Sequence, residues 1–367
     1  LFQDTAHAER LFSLQEVGFT YTRTGNPTRD AAECRLAALD EGAGALIVAS
    51  GAAARPYSLL NLAQTGDNLV AASTISGAEE LKVLLARQGI GLRLADPADA
   101  TAFTRVSDER TRAYFGETVT PAGALLDIAA LAAAGRALGI PLIVDNSAAP
   151  VAVRPLELGA AVTVYDGAGY LSGFPGVTAG AIVDGGRFPW ADHAASCPAL
   201  TEPDSSYHGA VWTEVAAFFN TPLAYITRVR MRLLRDFGGV VSPFDVFTLI
   251  QGMETLPIRM RTHGCNGRIL AAHLREHSGI GDVTHAEFGP RSLGTGLVAF
   301  RPAGGEETAR RVLSALELIR SESGFGGAYS QAALLPSAAA GTLLLSAGLE
   351  HPDDIAIDLL QALDKAG

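Results

Sequence analysis

Short apolar runs and amphipathic stretches alternate along the first half of the chain. Apolar runs that end at a glycine or an acidic residue predict buried strands, and the longer periodic segments between them predict helices. The predicted strands are 45–51, 68–73, 91–95, 113–117, 142–145, 162–165 and 179–183, and the predicted helices are 52–64, 78–88 and 127–138. This alternation is typical of a mostly parallel sheet that helices cover on both faces.

Longer helical patterns occupy the second half of the chain. They predict helices at 213–219, 223–237 and 243–277, then a strand at 296–301, a helix at 306–319, a strand at 342–346 and a helix at 352–363. We expect the helix at 243–277 to be broken or bent near Pro257, because proline removes a helical hydrogen bond. The patterns divide the chain into an N-terminal arm and interface segment (1–40), a large domain (41–240) and a long helix with a C-terminal α/β domain (241–367).

Polar or small residues stand at the ends of several predicted strands. They are Ser50, Gly51, Glu117, Asp145, Asp166 and Gly167. Ligands of parallel sheets bind at the carboxyl ends of the strands. The sequence therefore predicts that these residues form one edge of a pocket.

The composition argues against several classes of protein. Acidic residues outnumber basic ones 39 to 28, which gives a formal net charge of −11, whereas a nucleic-acid surface needs clustered basic charge. No apolar run is long enough to span a bilayer and no leader pattern is present, so we expect a cytoplasmic chain without a membrane partner. Cys34, Cys197 and Cys265 are far apart, which favours a reducing compartment over a disulfide framework or a metal site.

Seven short segments carry motifs in a fixed order. They are 21–28 (YTRTGNPT), 49–53 (ASGAA), 142–147 (LIVDNS), 206–209 (SYHG), 234–238 (LRDFG), 251–256 (QGMETL) and 346–350 (SAGLE). Together they resemble the Cys/Met-metabolism family of pyridoxal phosphate (PLP) enzymes, and most closely its O-acetylhomoserine sulfhydrylase branch. The resemblance implies the α/β fold of type I PLP-dependent transferases, with a mostly parallel sheet in the large domain and a smaller C-terminal α/β domain. It also implies transferase or lyase chemistry of sulfur amino-acid metabolism for intact members.

The segment 160–173 (AAVTVYDGAGYLSG) resembles the part of the family that carries the cofactor lysine. By this resemblance Gly169 stands at the lysine position, and Asp166 and Ala168 replace a serine and a threonine. A Schiff base to PLP needs a primary amine, which glycine lacks. A carboxylate at 166 would also repel a dianionic phosphate. The resemblance therefore implies no catalytic residue and no PLP in this chain's own pocket.

No other lysine is expected to take over this role. The chain contains only Lys82, predicted on the solvated face of a helix, and Lys365, which lies near the C-terminus. Arginine cannot substitute, because its guanidinium stays protonated and is a poor nucleophile.

The remaining pocket positions are partly kept. Ser50-Gly51-Ala52 keeps the turn whose backbone N–H groups bind phosphate in the family. Asp145 keeps the carboxylate that pairs with the pyridinium nitrogen, although a strand-end Asp that caps the next turn explains it equally well. Three further functional positions of the family are changed, to Ser76 (a stacking Tyr), Leu344 (an arginine that binds the substrate carboxylate) and Thr120 (an asparagine).

Tyr21 and Arg23 match a Tyr-x-Arg motif whose side chains, in the family, reach the cofactor phosphate of the adjacent subunit. Inherited packing, with Tyr21 in a dimer interface and Arg23 in a surface ion pair, explains them equally well. Our leading hypothesis is a non-catalytic subunit that lends both residues to the PLP site of a lysine-bearing paralogue. The partner is that paralogue or a second copy of the chain, in a dimer or tetramer. Family members usually carry a further N-terminal arm, which is either lost here or lies outside the given sequence.

Two alternatives stay open. One is an enzyme that reuses the fold without a Schiff base, with Asp166, Asp145 or Glu117 as acid or base, because apposed carboxylates raise one another's pKa. The other is a free-standing PLP-dependent sulfhydrylase with weak activity.

The histidines give no strong signal for a metal. His273 and His277 are spaced i, i+4 near the end of a predicted helix and could share one face, but no third ligand can be assigned to them. Favourable interaction with the helix dipole is the better explanation. We expect His208 and His263 to make structural contacts, and we expect no metal site.

Overall fold

Two β-sheets organise the chain in this computed structural model, which describes residues 2–12, 16, 18–288, 294–336 and 338–367. The strands of the larger sheet are β1 (Gly44–Val48), β2 (Asn68–Ala72), β3 (Gly91–Ala95), β4 (Thr111–Glu117), β5 (Leu142–Asp145), β6 (Val162–Asp166) and β7 (Gly180–Asp184). They are arranged in the order β1-β7-β6-β5-β4-β2-β3. Strand β7 is antiparallel to both of its neighbours, and the pairs from β6 to β3 are parallel. The predicted mostly parallel sheet is confirmed.

The helices of the described residues cover or connect the strands of the larger sheet or of a smaller one. They are α1 (Thr5–Phe12), α2 (Pro27–Asp40), α3 (Gly51–Leu60), α4 (Ala78–Arg87), α5 (Ala100–Arg105), α6 (Ile128–Ala137), α7 (Pro198–Thr201), α8 (Trp212–Phe218), α9 (Ala224–Arg228), α10 (Arg235–Phe237), α11 (Pro243–Glu276), α12 (Gly305–Ala315) and α13 (Pro352–Ala366). Strands β2 and β4 are buried at every position, as expected for a sheet with both faces covered.

Side-chain caps fix the ends of the helices that matter for the candidate site. Asn26 accepts hydrogen bonds from the backbone N–H groups of Thr28 and Arg29, and Pro27 is the first residue of α2. Ser50 caps α3 in the same way, through the N–H of Ala53. Such caps satisfy donors that the helix itself leaves unpaired.

The smaller sheet is antiparallel and lies in the last third of the chain. Its strands are β8 (Ile280–His285), β9 (Leu297–Pro302), β10 (Gln331–Leu334) and β11 (Leu343–Ser346), in the order β10-β11-β9-β8. With α12, α13 and the end of α11 it surrounds a second apolar core. Strand β8 has a largely exposed face and polar residues, so the search for apolar runs missed it.

Helix α11 differs from the prediction because it continues through Pro257 without a break. Pro257 lies on the exposed side of the helix. Met253, Leu256 and Met260 are buried in the large core on both sides of the proline. This packing holds the helix together although proline removes one hydrogen bond.

The helix predicted over 223–237 is confirmed as a continuous helical segment over 224–237, in which a π-helical turn (Val229–Leu234) lies between α9 and α10. Another predicted helix was too long. Helix α12 ends at Ala315 rather than at 319, because the backbone N–H groups of Glu317, Leu318 and Ile319 donate to the carboxylate of Asp358. Backbone N–H groups that donate to a side chain cannot make the hydrogen bonds that would extend the helix.

The described helices include none with the length and apolar character needed to cross a membrane.

Candidate functional site

A cavity of about 350 Å³ opens where the larger sheet presents the carboxyl ends of its parallel strands. Its walls are formed by Gly51, Ala52, Arg55, Pro56, Ser76, Gly77, Glu80, Leu81, Leu84, Glu117, Val119, Pro121, Asp145, Ser147, Ala148, Asp166 and Phe325. Of the six strand-end residues that the sequence singled out, Gly51, Glu117, Asp145 and Asp166 line the cavity, whereas Ser50 and Gly167 do not belong to its wall.

Arg55 is the central charged group of the cavity. It lies on α3, and its Nη2 is 2.9 Å from Glu117 Oε1 and 2.9 Å from Asp145 Oδ2. Its Nη1 donates to the carbonyl oxygen of Ser76 at 2.7 Å. The guanidinium also packs 5.3 Å from the centre of the Phe115 ring, a cation–π contact. One arginine therefore joins three of the elements that surround the cavity.

Two serines hold the carboxylates that Arg55 binds. Ser76 donates to Glu117 through its backbone N–H and its hydroxyl, at 2.9 and 3.0 Å. Ser147 donates to Asp145 Oδ1 in the same two ways. Burial raises the pKa of Glu117 to about 7, although Arg55 acts in the opposite direction. Burial therefore outweighs the effect of Arg55 on this carboxyl, and the neighbouring charge of Asp145 acts in the same direction as burial.

The start of α3 lies against Asp166. A Cβ atom placed on Gly51 would come within 2.8 Å of Asp166 Cβ, so this position fits only glycine. The Asp166 carboxylate accepts the backbone N–H of Ala168 at 3.0 Å and caps the π-helical turn Gly167–Leu171. Ser50, Gly51, Ala52 and Asp166 are therefore adjacent, and a carboxylate faces the helix N-terminus at which anions bind.

Gly169 lies in that π-helical turn and is closed off by Phe325. A Cβ atom at Gly169 would lie 2.7 Å from the carbonyl oxygen of Phe325, and this oxygen belongs to the backbone. The Phe325 ring packs on Tyr170, with ring centres 5.6 Å apart. In this packing the backbone at 169 has no room for a side chain.

Both lysines, which belong to the described part of the chain, lie outside the cavity wall. Lys82 is on an exposed face of α4, as predicted. Lys365 is in the last turn of α13 and pairs with Glu317 at 3.2 Å.

The three changed positions have ordinary structural contacts. Ser76 binds Glu117 as described above. Leu344 lies on β11 in an apolar group with Ala148 and Phe325. Thr120 is buried, and its hydroxyl caps a turn by accepting the N–H of Ala124.

The family model for Cys/Met metabolism PLP-dependent enzymes matches residues 1–364. The chain belongs to this family.

Relatives with assigned activities cover almost the whole chain. The O-acetyl-L-homoserine sulfhydrylase of Leptospira meyeri is 36% identical over an alignment of 398 residues including gaps. This alignment covers 99% of this chain and 90% of the relative. The homocysteine synthase of Schizosaccharomyces pombe is 34% identical over an alignment of 397 residues including gaps, which covers 100% of this chain and 92% of the relative. A Campylobacter jejuni structure, described as an O-acetylhomoserine (thiol)-lyase with a pyridoxyl-lysine monophosphate, has a TM-score of 0.92 at 30% identity and covers 99% of this chain and 92% of its own. The predicted type I fold and the resemblance to the sulfhydrylase branch are confirmed.

Tyr21 and Arg23, the residues that match the family's trans motif, lie outside this chain's own cavity. Tyr21 is 56% exposed and begins a tight turn, because its carbonyl oxygen accepts the N–H groups of Thr24 and Gly25. The Arg23 guanidinium lies 5.2 Å from the Tyr21 ring centre and donates to the backbone carbonyl of Arg235. Among the described residues, the hydrogen-bond acceptor of the Arg23 guanidinium is thus a backbone carbonyl.

The histidines lie away from the cavity wall. His277 follows the end of α11 with an extended backbone, so it does not share a helical face with His273, and its Nε2 is 3.3 Å from Asp364. His263 is buried with Nδ1 2.7 Å from the carbonyl oxygen of Ala347, and burial lowers its pKa to about 4. His208 has a left-handed backbone next to the Tyr207 ring. Across the residues that can be described, no group of three or more His, Cys, Asp or Glu side chains could hold a metal ion.

Sequence reasoning missed Arg55 and Phe325. Arg55 is the single charged residue of α3 (GAAARPYSLL), which was the available signal. Phe325 stands in the glycine-rich segment 324–327, and its contact with Gly169 spans more than 150 positions. Such a contact leaves no local pattern.

Proposed function

We propose that this chain is the non-catalytic subunit of a heteromeric PLP-dependent enzyme of the O-acetylhomoserine sulfhydrylase type. Its own cavity holds no PLP, and Tyr21 and Arg23 complete the PLP site of a lysine-bearing paralogue. The observation that carries the proposal is the packing of Gly169 on the Phe325 carbonyl, which leaves no space for the amine-bearing side chain that the family uses. Alone, the chain is inactive as a PLP enzyme.

The residues of the cavity do not fit the cofactor as the family holds it. Covalent attachment needs a primary amine, and both lysines are outside the cavity wall. Asp145, the position that pairs with the pyridinium nitrogen, is already paired with Arg55. Asp166 places a carboxylate beside the start of α3, where it would repel a phosphate.

The surface at Tyr21 suits a contribution to a neighbouring subunit. The turn that begins at Tyr21 is fixed by two backbone hydrogen bonds and leads directly into the capped start of α2. It presents a phenol and a guanidinium side by side, outside the chain's own cavity. A guanidinium and a phenol are good donors to phosphate oxygens.

A second candidate function is an enzyme that uses the cavity carboxyls as acid or base. The observation in its favour is the pKa of Glu117, which burial raises to about 7. A group that titrates near neutral pH is suited to proton transfer. Because Arg55 and Ser76 occupy the oxygens of Glu117, this function would require them to move, and we place it second.

The test is co-expression of the chain with a lysine-bearing paralogue, followed by size measurement and a PLP absorbance spectrum. We expect a stable heteromer whose PLP is fixed by borohydride on the paralogue. The variant Tyr21→Phe/Arg23→Ala in this chain should weaken PLP binding and turnover of the complex at least tenfold, because charge-assisted hydrogen bonds are lost. Arg136→Ala, an exposed arginine on α6, is the matched control and should change neither.

Three results would count against the proposal. One is a yellow, borohydride-reducible cofactor on this chain alone, which would favour a weakly active enzyme. Another is an unchanged complex in the Tyr21→Phe/Arg23→Ala variant. A small molecule other than PLP that co-purifies with the chain and is turned over by it would favour the second candidate.

A further inference from the structure

The two carboxylates in the cavity lie close enough to repel each other, so a cation between them is stabilising. Glu117 and Asp145 are register partners at the ends of the neighbouring parallel strands β4 and β5. Adjacent strands lie about 4.8 Å apart, so two ionised carboxylates repel each other there. Their side chains are 7% and 10% exposed, so water screens this repulsion poorly.

The hydrogen bonds around the pair leave one direction open. Ser76 binds Glu117 through two donors, and Ser147 binds Asp145 through two donors on Oδ1. Glu117 Oε1, which also accepts the Ser76 N–H, and Asp145 Oδ2 can each accept a further hydrogen bond, and both oxygens face the same point. A positively charged donor at that point satisfies both carboxylates at once.

Arg55 occupies that point from within the chain. Its Nη2 contacts both carboxylates at 2.9 Å, and its Nη1 is bound by the Ser76 carbonyl oxygen, which fixes the plane of the guanidinium. The ring of Phe115 lies 5.3 Å from the guanidinium carbon. The surroundings therefore provide carboxylate, carbonyl and aromatic partners for one planar cation.

We propose that Arg55 is a built-in occupant of this cavity, which keeps the Glu117–Asp145 pair unavailable to a cation from outside. The site recognises the alkylguanidinium class of cation, and the tethered side chain fills it permanently. A pyridinium ring that requires Asp145 is excluded by the same contact. The proposal concerns this chain alone, so its failure would leave the role in a heteromer untouched.

The test removes the tether and offers the missing group in solution. Arg55→Ala lacks a two-carbon stem and a guanidinium, which together are N-ethylguanidinium. At pH 8 we expect this variant to bind N-ethylguanidinium chloride at least tenfold more tightly than the wild type in calorimetric titration, because charge-assisted hydrogen bonds form. The same ligand should raise the unfolding temperature of the variant. It should leave the unfolding temperature of the wild type at the value measured in sodium chloride of the same concentration.

Two controls separate charge from shape. N-ethylurea has the same outline without the charge and should not bind Arg55→Ala. The variant Arg55→Ala/Glu117→Gln carries one carboxylate less and should lose at least tenfold of the affinity for N-ethylguanidinium. If Arg55→Ala unfolds at pH 8, the titration begins at pH 6, where protonation relieves the repulsion, and the affinity should rise with pH.

The proposal is overturned by any of three outcomes. They are equal binding of N-ethylguanidinium to the wild type and Arg55→Ala, equal stabilisation of the variant by N-ethylurea, and unchanged affinity in Arg55→Ala/Glu117→Gln.

Discussion

Gly169 is the residue of the π-helical turn that packs directly against the backbone of Phe325. Its backbone forms a kink in that turn, with φ −82° and ψ −116°. A side chain is excluded sterically, because the carbonyl oxygen of Phe325 lies 2.7 Å from the place where a Cβ atom would be. A protein interior at close packing cannot absorb such an overlap without moving the backbone.

Even one added methyl group at this position should destabilise the fold. We expect Gly169→Ala to lower the free energy of unfolding by about 1–3 kcal/mol, the usual cost of overpacking. Urea denaturation followed by circular dichroism measures this change.

Gly327→Ala is the matched control, because a Cβ atom there would meet its nearest neighbours at 3.9 and 4.0 Å. The control should stay within about 0.5 kcal/mol of the wild type. Equal stability of the two variants would show that the Phe325 loop moves freely, which would weaken the argument from Gly169.

The residues of the cavity could be predicted only where the chain carries a local signal. Asp145 and Glu117 were found because they end apolar strands that belong to one sheet. Arg55 was not found, because its role depends on two strand ends that lie more than 60 positions away along the chain. The direction in which a side chain points at a sheet edge depends on tertiary packing, so the hydrophobic periodicity of the sequence does not reveal it.

At the scale of elements, the π-helical turn Gly167–Leu171 is held in place by the long helix α11. Arg259 of α11 is buried and donates to the carbonyl oxygens of Tyr170 and Leu171 at 2.7 and 3.1 Å. It also donates to the carbonyl oxygen of Gly252 at 2.8 Å. Its Nε donates to the hydroxyl of Thr255 on the same helix at 3.1 Å, and burial lowers the pKa of Arg259.

Loss of this arginine should loosen the connection between the two elements. We expect Arg259→Leu to lower the free energy of unfolding by about 3 kcal/mol, because buried carbonyls lose charged donors. Arg261→Leu removes an exposed arginine from the same helix and should cost no more than about 0.5 kcal/mol. Thermal unfolding of both variants measures the difference, and equal losses would contradict a specific role for Arg259.

Element types were predictable along most of the chain, and element ends were not. Strands β2 to β6 are apolar runs with clear limits, so they lie within two residues of their predictions. Helix α12 was predicted too long, because a carboxylate from α13 takes the N–H groups that would continue it. When another element determines where a helix ends, the sequence pattern of the helix itself does not show that end.

For the whole molecule, several buried carboxyls make stability depend on pH. Burial raises the pKa of Asp40, Glu117 and Asp184 to about 7 in each case. The folded chain then holds protons that the unfolded chain has released, from about pH 4 upward. This contribution to stability is complete below pH 4 and is lost as the pH rises through 7. His263, whose pKa burial lowers to about 4, acts in the opposite direction, but only below about pH 6.5.

Between pH 6 and pH 8 the carboxyls and His263 act in opposite directions, so the contribution of one carboxyl is obtained by comparing the wild type with a variant that lacks it, and Asp40 is the best of them to change. Its Oδ1 accepts one hydrogen bond, from the Tyr165 hydroxyl at 2.8 Å, and Asp40 does not line the cavity that contains Arg55. Between these two pH values the wild type should lose about 1 kcal/mol of its free energy of unfolding through Asp40, since one pKa unit corresponds to about 1.4 kcal/mol.

Asp40→Asn cannot ionise, so its unfolding temperature should fall less than that of the wild type over the same pH interval. Asp30→Asn changes an exposed position on the same helix and should follow the wild type. Parallel curves for the wild type and Asp40→Asn would mean that Asp40 does not titrate in this range, and the pH dependence would then have to come from Asp184 and Glu117.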